Sequence, residues 1–403
     1  MQNGAMLSRP STKNPHSWSR LDGVDLLRGL AIFFVLMNHV NMRLVLADVS
    51  YADGIPAQLV SSLVWNGQRG VQIFFVVSGF LITSITLHRW DSLSGASVRA
   101  FYQMRLARIA PLLIALLAIL SALHFAHVPR FVVSQKTGGL GRALLAALTF
   151  HVNVLEARRG YLPGNWDILW SLSVEEMFYL FFPLVGWLLG RGKLLIALLL
   201  AFVVLGPIGR TFTHGDEVWH EYSYLGSMDA IALGCLTALF VARRRLSRAG
   251  LAVLVFAGTD VVLFCLGFSL KLDSWGLARD GLDMTILAAG TCMLIAAGAQ
   301  TRWRSPRLLM PLLRLGQRSY EVYLTHMFVV FALFALFVAA GKPMTAVPAL
   351  FVAVVIVSGL LGEFVAVFYS EPANRFLRER WGDGASRLGS VVEPAELQAR
   401  TKV

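Results

Sequence analysis

The chain has 403 residues, of which 56% are hydrophobic and only 15% charged, and its formal net charge is +12. An ordinary soluble domain is about 25% charged. The composition, with a mean hydropathy of +0.63, therefore predicts a polytopic membrane protein and excludes a soluble globular class. The cysteines, Cys235, Cys265 and Cys292, lie in apolar stretches without the spacing of a zinc site or a disulfide framework. We expect neither a metal nor a bound cofactor.

The apolar segments of the chain predict an all-α, polytopic membrane helix bundle. A spanning helix needs about 20 mostly apolar residues, and about ten segments meet that length. In chain order they are 28–46, 71–89, 109–127, 168–190, 193–212, 223–242, 249–269, 281–299, 319–340 and 346–370. We predict a cytoplasmic N-terminal segment at 1–27, a membrane domain at 28–381 and a polar, disordered cytoplasmic tail at 382–403.

A further segment, 142–157, is apolar but short, and it carries Arg142, His151, Asn153 and Glu156. Arginine and lysine collect in short cytoplasmic loops. If this segment does not cross the membrane, the basic clusters near residues 105, 244, 304 and 378 all face the cytoplasm. We therefore predict that it is re-entrant or interfacial and that both termini are cytoplasmic. The positive charge is then an orientation signal, and we expect no nucleic-acid partner.

Polar side chains inside the predicted spans are costly in a bilayer, so they point to a working site. Counting along each helix predicts two layers. The outer layer, roughly 10 Å below the outer surface, contains His39, Glu175, Glu176 and Asp229. The inner layer contains Arg28, Arg105, Arg108, Tyr320, Tyr323 and His326.

The residue types suggest a chemistry for each layer. A buried histidine can act as a general base near neutral pH, and a carboxylate beside it could orient the ring. Arg105 and Arg108 are three residues apart, hence on one helix face, which suits a phosphate-bearing ligand. Structural alternatives stay open: the arginines could be membrane anchors, His39 a satisfied core residue, and the carboxylates partners of arginine. Asp229 could serve close helix packing beside Gly226 and Gly234.

Six short blocks, in order along the chain, carry a family resemblance. They are Leu26-Leu27-Arg28-Gly29-Leu30-Ala31 followed by His39; Ile73 to Ile82; Phe101 with Arg105-x-x-Arg108-Ile109-x-Pro111; Trp170-Ser171-Leu172-Ser173-Val174-Glu175-Glu176; Ser319-Tyr320-x-x-Tyr323-Leu324-x-His326; and Glu371-Pro372. Together they resemble the acyltransferase family 3 integral membrane proteins, which transfer acyl groups to sugars, lipids, peptidoglycan or macrolides. The block from Trp170 to Glu176 is the most specific. Gln72 departs from the family, which usually has Asp at that position.

The resemblance implies that residues 28–381 form the family's membrane domain and that acyl-CoA, commonly acetyl-CoA, is a cytoplasmic co-substrate. It places Arg28, His39, Arg105 and Arg108 at positions that the family needs for activity. We expect the arginines to bind the donor, and His39, Glu175 and Glu176 to be catalytic. Supporting roles are expected for Trp170, Ser171, Ser173, Asp229, Tyr320, Tyr323, His326 and Glu371.

These expectations describe an inner-membrane O-acyltransferase that moves an acyl group, most simply acetyl, to a hydroxyl of a cell-envelope carbohydrate or glycolipid. The alternative is a multi-pass transporter of acyl donor or glycolipid, because buried carboxylates also suit proton relays. The two related halves common among transporters are not evident in the sequence. The sequence leaves open the acceptor, the acyl length, the oligomeric state, direct transfer against an acyl-enzyme, and which of Glu175 and Glu176 is functional.

Overall fold

The computed structural model describes residues 21–190, 192–213, 216–301 and 303–381. Predictions for residues 1–20 and for the tail at 382–403 lie outside these ranges. Within them the regular structure is helical throughout, and no strand occurs. The all-α prediction is confirmed.

The first half of the described chain forms nine α-helices. They are α1 (Asp22–Val45), α2 (Ala57–Val64), α3 (Gly67–Trp90), α4 (Val98–Phe125), α5 (Gly139–Leu148), α6 (Val152–Arg159), α7 (Gly164–Asp167), α8 (Leu169–Leu189) and α9 (Lys193–Phe212). The second half forms α10 (Glu217–Tyr222), α11 (Tyr224–Arg243), α12 (Arg248–Gly267), α13 (Ser269–Ser274), α14 (Leu282–Gln300), α15 (Met310–Gln317), α16 (Ser319–Ala339), α17 (Val347–Val365) and α18 (Glu371–Arg380). A π-helical turn, Ala366–Ser370, joins α17 to α18.

Ten helical segments within the described ranges are long and apolar enough to cross a membrane. They are α1, α2 with α3, α4, α7 with α8, α9, Val218–Arg243, α12, α14, α16, and Met344–Arg380. Each coincides with one predicted span, so the polytopic bundle is confirmed. Large apolar side chains such as Phe256 on α12 and Leu360 on α17 are exposed, as expected of surfaces that face lipid.

The third span is longer at its start than the apolar pattern predicts. It begins at Val98 rather than at residue 109. The Ser97 hydroxyl caps this end by accepting a hydrogen bond from the Ala100 backbone N–H at 3.3 Å. Arg105 and Arg108 therefore lie inside α4 and not at its flank, because a capped helix continues past the point where the apolar residues end.

The segment 142–157 does not form one crossing helix. It is divided between α5 and α6, and the helical conformation is interrupted at Phe150, whose φ is 57°. The 10 residues of α5 extend for about 15 Å, which is half of the roughly 30 Å of a hydrocarbon core. These lengths agree with the prediction that the segment does not cross.

Glycine allows α3 and α11 to pack backbone against backbone. A Cβ atom added at Gly79 would lie 2.0 Å from the Ile231 carbonyl oxygen, and one added at Gly234 would lie 2.1 Å from the Val76 carbonyl oxygen. Small residues permit such close contact between membrane helices. This contact fixes the rotation of α3 about its axis. In that orientation the Ser78 side chain of α3 lines the cavity described next.

Candidate active site

A cavity of about 340 Å³ lies among six helices of the bundle. Its polar lining comes from α1, α3, α4, α8, α16 and α18. These residues are Arg28, Ser78, Thr86, Arg105, Arg108, Ser171, Glu175, Glu176, Tyr179, Ser319, Tyr320, Tyr323 and Arg378. Apolar side chains such as Phe74, Leu81 and Ile109 complete the wall. The cavity therefore combines several cations with two carboxyl groups and with hydroxyl groups from three helices, α3, α8 and α16.

The predicted donor-binding arginines converge on this cavity, as their sequence positions suggested. Arg28 donates from Nε to the Ser319 hydroxyl at 3.0 Å, and its Nη1 lies 3.8 Å from Asp25. Arg108 forms a salt bridge of 3.1 Å with the buried Glu321. Each of these two guanidinium groups is thus held by a residue of its own or a neighbouring helix.

Arg105 is held differently, by aromatic rings. Its guanidinium carbon lies 4.1 Å from the centroid of the Tyr179 ring and 5.9 Å from that of Phe101. A cation over the face of an aromatic ring is attracted by the ring quadrupole. Arg105 and Tyr179 come from α4 and α8, so this contact helps to join the two helices beside the cavity.

The two adjacent carboxyl groups of α8 have different surroundings. Glu175 Oε1 accepts hydrogen bonds from the Ser78 hydroxyl at 2.6 Å and from the Tyr179 hydroxyl at 2.5 Å. Glu176 is buried, and no donor among the described residues reaches its Oε1. Glu175 is therefore fixed by neighbouring side chains, whereas Glu176, which also lines the cavity, has a buried oxygen without a partner among the described residues.

His39 and His326 pack against each other, with ring centroids 4.9 Å apart and the planes at 65°. The Nδ1 atom of His39 lies 2.8 Å from the Val35 carbonyl, and that of His326 lies 2.6 Å from the Tyr323 carbonyl. A carbonyl only accepts, so Nδ1 of each ring must carry the proton, and Nε2 of a neutral ring is then the basic atom. Neither histidine lines the cavity, but Tyr323 lines it and its ring lies 5.7 Å from that of His326.

The predicted two-layer arrangement needs correction at these histidines. His326 was assigned to the inner arginines, but its ring partner is His39. Neither Glu175 nor Glu176 is a hydrogen-bond partner of His39, whose Nδ1 instead donates to the backbone of its own helix. The carboxyl groups face the arginine cavity instead. Counting residues along a helix gives a position on that helix but does not determine which side chains of other helices lie beside it.

Asp229 also lies elsewhere. It is fully buried and forms a salt bridge of 2.7 Å with Arg210 of α9. Its carboxylate also accepts hydrogen bonds from Thr285 at 2.5 Å and from Gln72 at 3.3 Å. This network joins α3, α9, α11 and α14. Its side-chain partners are therefore Arg210, Thr285 and Gln72 rather than His39 or the α8 carboxyl groups, and the alternative of a packing role describes these contacts.

The remaining predicted supporting residues divide between the cavity and its frame. The Ser171 and Tyr323 hydroxyls contact each other at 2.6 Å, and Tyr320 donates to the Ile109 carbonyl at 2.8 Å. These three line the cavity. Trp170 instead stacks on Tyr222 at 4.1 Å. Ser173 accepts from the Val152 N–H at 3.2 Å, and Glu371 forms a salt bridge with Arg318.

The sequence analysis missed five polar residues that line the cavity, Ser78, Thr86, Tyr179, Ser319 and Arg378, and the partner of Arg108, Glu321. Tyr179 follows Glu175 by one helical turn, so the spacing alone could have indicated it. Ser78 and Ser319 stand inside the family-like blocks without a role. Arg378 offered no such signal, because it lies beyond the last predicted span and no spacing connects it to α4.

Comparison with known proteins identifies the family. A family model described as an acyltransferase domain matches residues 21–363. The chain belongs to acyltransferase family 3. It is 26% identical over 330 residues to the O-acetyltransferase OatA of Staphylococcus aureus strain NCTC 8325, covering 76% of this chain and 50% of the relative. It is 27% identical over 330 residues to the peptidoglycan O-acetyltransferase OatA of Listeria monocytogenes, covering 77% and 49%.

A putative O-acetyltransferase of Staphylococcus aureus strain COL is 24% identical over 340 residues, with 77% and 50% covered. The chain therefore spans about half the length of the curated relatives that it matches. No solved structure gives a match. The family assignment agrees with the resemblance found in the six sequence blocks.

Proposed function

We propose that this protein is a membrane O-acyltransferase that moves an acyl group, most simply acetyl, from acyl-CoA to a hydroxyl of a cell-envelope carbohydrate or glycolipid. The observation that carries the proposal is the cavity in which Arg28, Arg105 and Arg108 meet the α8 carboxyl groups. Family membership and the names of the relatives, two O-acetyltransferases among them, support transfer of an acyl group to oxygen.

The arginines suit the donor. Guanidinium groups form paired, charge-assisted hydrogen bonds with phosphate oxygens, and acyl-CoA carries a diphosphate and a ribose phosphate. The thioester at the other end of the donor would extend past Tyr323 towards the histidine pair. Phe74, whose ring lies 6.2 Å from that of Tyr323, would line this passage.

His39 is the proposed general base. Its Nε2 would take the proton of the acceptor hydroxyl while the hydroxyl oxygen attacks the thioester carbonyl carbon. The tetrahedral intermediate would collapse with cleavage of the carbon–sulfur bond, and the proton would pass from Nε2 to the departing CoA sulfur. The products are an oxygen ester and free CoA, so atoms and protons balance without another reactant. Glu176, whose Oε1 has no donor among the described residues, would accept a hydrogen bond from the acceptor or the donor.

The proposed orientation follows from charge. Basic residues favour the cytoplasmic side, and the arginine end of the cavity would therefore face the cytoplasm, where acyl-CoA is made. Both termini would lie on that side of the inner membrane. The acceptor would approach the histidine pair from the opposite side, which suits an envelope glycan.

The test is mass spectrometry of envelope glycans and lipids from cells that make the wild type or His39→Ala at equal membrane levels. We expect an acyl mass increment with the wild type only, and its fragment would identify the group and the acceptor. A second experiment supplies membrane vesicles with labelled acetyl-CoA and measures both acylated product and labelled solute inside the vesicles. Accumulation of labelled solute in the vesicles, without any acylated product, would favour the transporter and overturn the proposal.

A further inference from the structure

The last helix of the described residues, α18, contributes a fourth arginine, Arg378, to the lining of the cavity. Two contacts hold the chain around α18 in place. Arg318, just before α16, forms salt bridges with Glu371 and, at 2.8 Å, with Glu363. In the preceding π-helical turn, Tyr369 donates to the Pro111 carbonyl of α4 at 3.0 Å. The helix that carries Arg378 is therefore fixed against α4, the helix of Arg105 and Arg108.

The surroundings of Arg378 are unusual for a membrane anchor. Its Nε atom is buried and finds no hydrogen-bond partner among the described residues. The charged groups that act most strongly on it are all cations, Arg108, Arg89 and Arg105. Like charges held close together repel, so this arrangement is costly unless an anion is present.

The carboxylates available nearby are mostly engaged. Arg28 and Arg108 have Asp25 and Glu321 as partners. In the described part of the chain, neither Arg89 nor Arg378 lies within salt-bridge distance of a carboxylate. Arg89 instead donates from Nη1 to the Met104 sulfur at 2.9 Å, and a thioether is a weak acceptor. Met104 lines the cavity. Arg89 also lies over the Trp90 ring, 5.1 Å from its centroid. Positive charge without a carboxylate partner is therefore concentrated where α18 packs against α4.

We propose that Arg378, with Arg89 behind it, forms a second phosphate-binding subsite that holds the nucleotide part of the donor. The inference rests on the proposed function, because it takes acyl-CoA as the donor. Arg28, Arg105 and Arg108 then bind one phosphate group, and Arg378 binds another, so that the nucleotide lies between α4 and α18. The helix α18 becomes part of the donor site and not only a membrane anchor.

The test measures donor binding directly, so that it does not depend on knowing the acceptor. Equilibrium binding of acetyl-CoA is compared for the full-length purified wild type, Arg378→Gln, Arg378→Lys and Arg375→Gln. Arg375 is the matched control, since it lies on the same helix and is exposed. Charge-assisted hydrogen bonds contribute enough to predict a loss of affinity of about tenfold or more for Arg378→Gln. We expect a smaller loss for Arg378→Lys, which keeps the charge but not the planar fork, and less than a twofold change for Arg375→Gln.

Two donor analogues identify the group that Arg378 holds. Acetyl-pantetheine has no nucleotide, so the wild type and Arg378→Gln should bind it equally well. Acetyl-dephospho-CoA lacks only the ribose phosphate. If the effect of Arg378→Gln disappears with this analogue, the subsite holds the ribose phosphate; if it persists, the subsite holds the diphosphate. Either result supports a phosphate subsite.

Equal acetyl-CoA affinity of the wild type and Arg378→Gln would overturn the inference and leave acyl-CoA as the donor. An equal loss with acetyl-pantetheine would also overturn it, because the effect would not involve phosphate. A wild type that binds no acetyl-CoA would instead overturn the proposed function, and the inference with it. Thermal unfolding of each variant verifies the fold, and Arg378→Lys provides the same comparison if the glutamine variant is not produced.

Discussion

The imidazole rings of His39 and His326 pack edge to face, with their centroids 4.9 Å apart. Both rings donate Nδ1–H to a carbonyl about one turn earlier on their own helix, so both present an unprotonated Nε2. Two imidazolium cations at this distance would repel each other. The pair is therefore suited to hold one proton at a time, which is what a general base needs during acyl transfer.

This geometry predicts unequal effects of removing the two histidines. His39→Ala should lower the rate of acetyl transfer by about 100- to 10,000-fold, the usual contribution of a general base. His326→Ala should lower it by roughly two- to tenfold, because it removes only a ring contact that positions His39. The rates of both variants are measured as transfer of labelled acetyl from acetyl-CoA at a saturating donor concentration. Full turnover by His39→Ala would contradict the assignment of the general base.

The sequence predicted residues of the cavity better than it predicted which of them meet. Within one helix, spacing is enough: Arg105 and Arg108 share a face, and both line the cavity. Contacts between helices depend on crossing angles and on where each helix begins, which the apolar pattern does not contain. For that reason the contact between His39 and His326 and the salt bridge between Asp229 and Arg210 were not predicted.

The salt bridge between Arg108 and Glu321 predicts that Arg108 contributes to stability as well as to donor binding. Glu321 is only 1% exposed, so Arg108→Gln leaves a buried carboxylate without its partner. Breaking a buried ion pair in this way typically costs about 3–5 kcal/mol. We expect a marked fall in the unfolding temperature of Arg108→Gln, measured on the purified protein in detergent.

The double variant Arg108→Gln, Glu321→Gln separates the two roles. It should recover most of the lost stability, because the unpaired charge is gone, while acetyl-CoA binding stays weak because the guanidinium is still missing. Recovery of donor binding together with stability would mean that Arg108 acts only as a partner of Glu321 and does not contact phosphate.

The backbone contact between α3 and α11 predicts sensitivity to a single methyl group. Gly234→Ala would place a Cβ atom against the Val76 carbonyl oxygen, so the helices must separate. Overpacking of this kind costs about 1–3 kcal/mol, and the shift of α3 should also weaken the bond between Ser78 and Glu175. Gly267→Ala is the control, because a Cβ there meets nothing within 4 Å. Equal unfolding temperatures of the two variants would refute the importance of this contact.

Outside the spans, Glu156 of α6 predicts a dependence of stability on pH. Its carboxyl group is fully buried, accepts a hydrogen bond from the Leu162 N–H at 3.0 Å, and lies against the Asp167 carboxyl group. Burial, and then the charge of Asp167, raises the pKa of Glu156 well above its ordinary value. Two adjacent carboxyl groups can form a hydrogen bond only if one of them keeps its proton. Among the described residues, no other donor reaches the buried Glu156 Oε2.

The sign of the effect follows from the raised pKa. The folded protein holds a proton on Glu156 that the unfolded chain releases above about pH 4.3. The stabilisation of the folded state that this proton contributes is complete below that value. It is lost as the pH rises through the raised pKa of Glu156 in the folded state. Glu156→Gln resembles the protonated acid at every pH. The stability of this variant relative to the wild type should therefore increase as the pH rises. Thermal unfolding across a pH series measures this difference, with the exposed Asp53→Asn as a control that should follow the wild type. Parallel curves for Glu156→Gln and the wild type would mean that Glu156 is ionised in the folded protein and that the contact with Asp167 holds no proton.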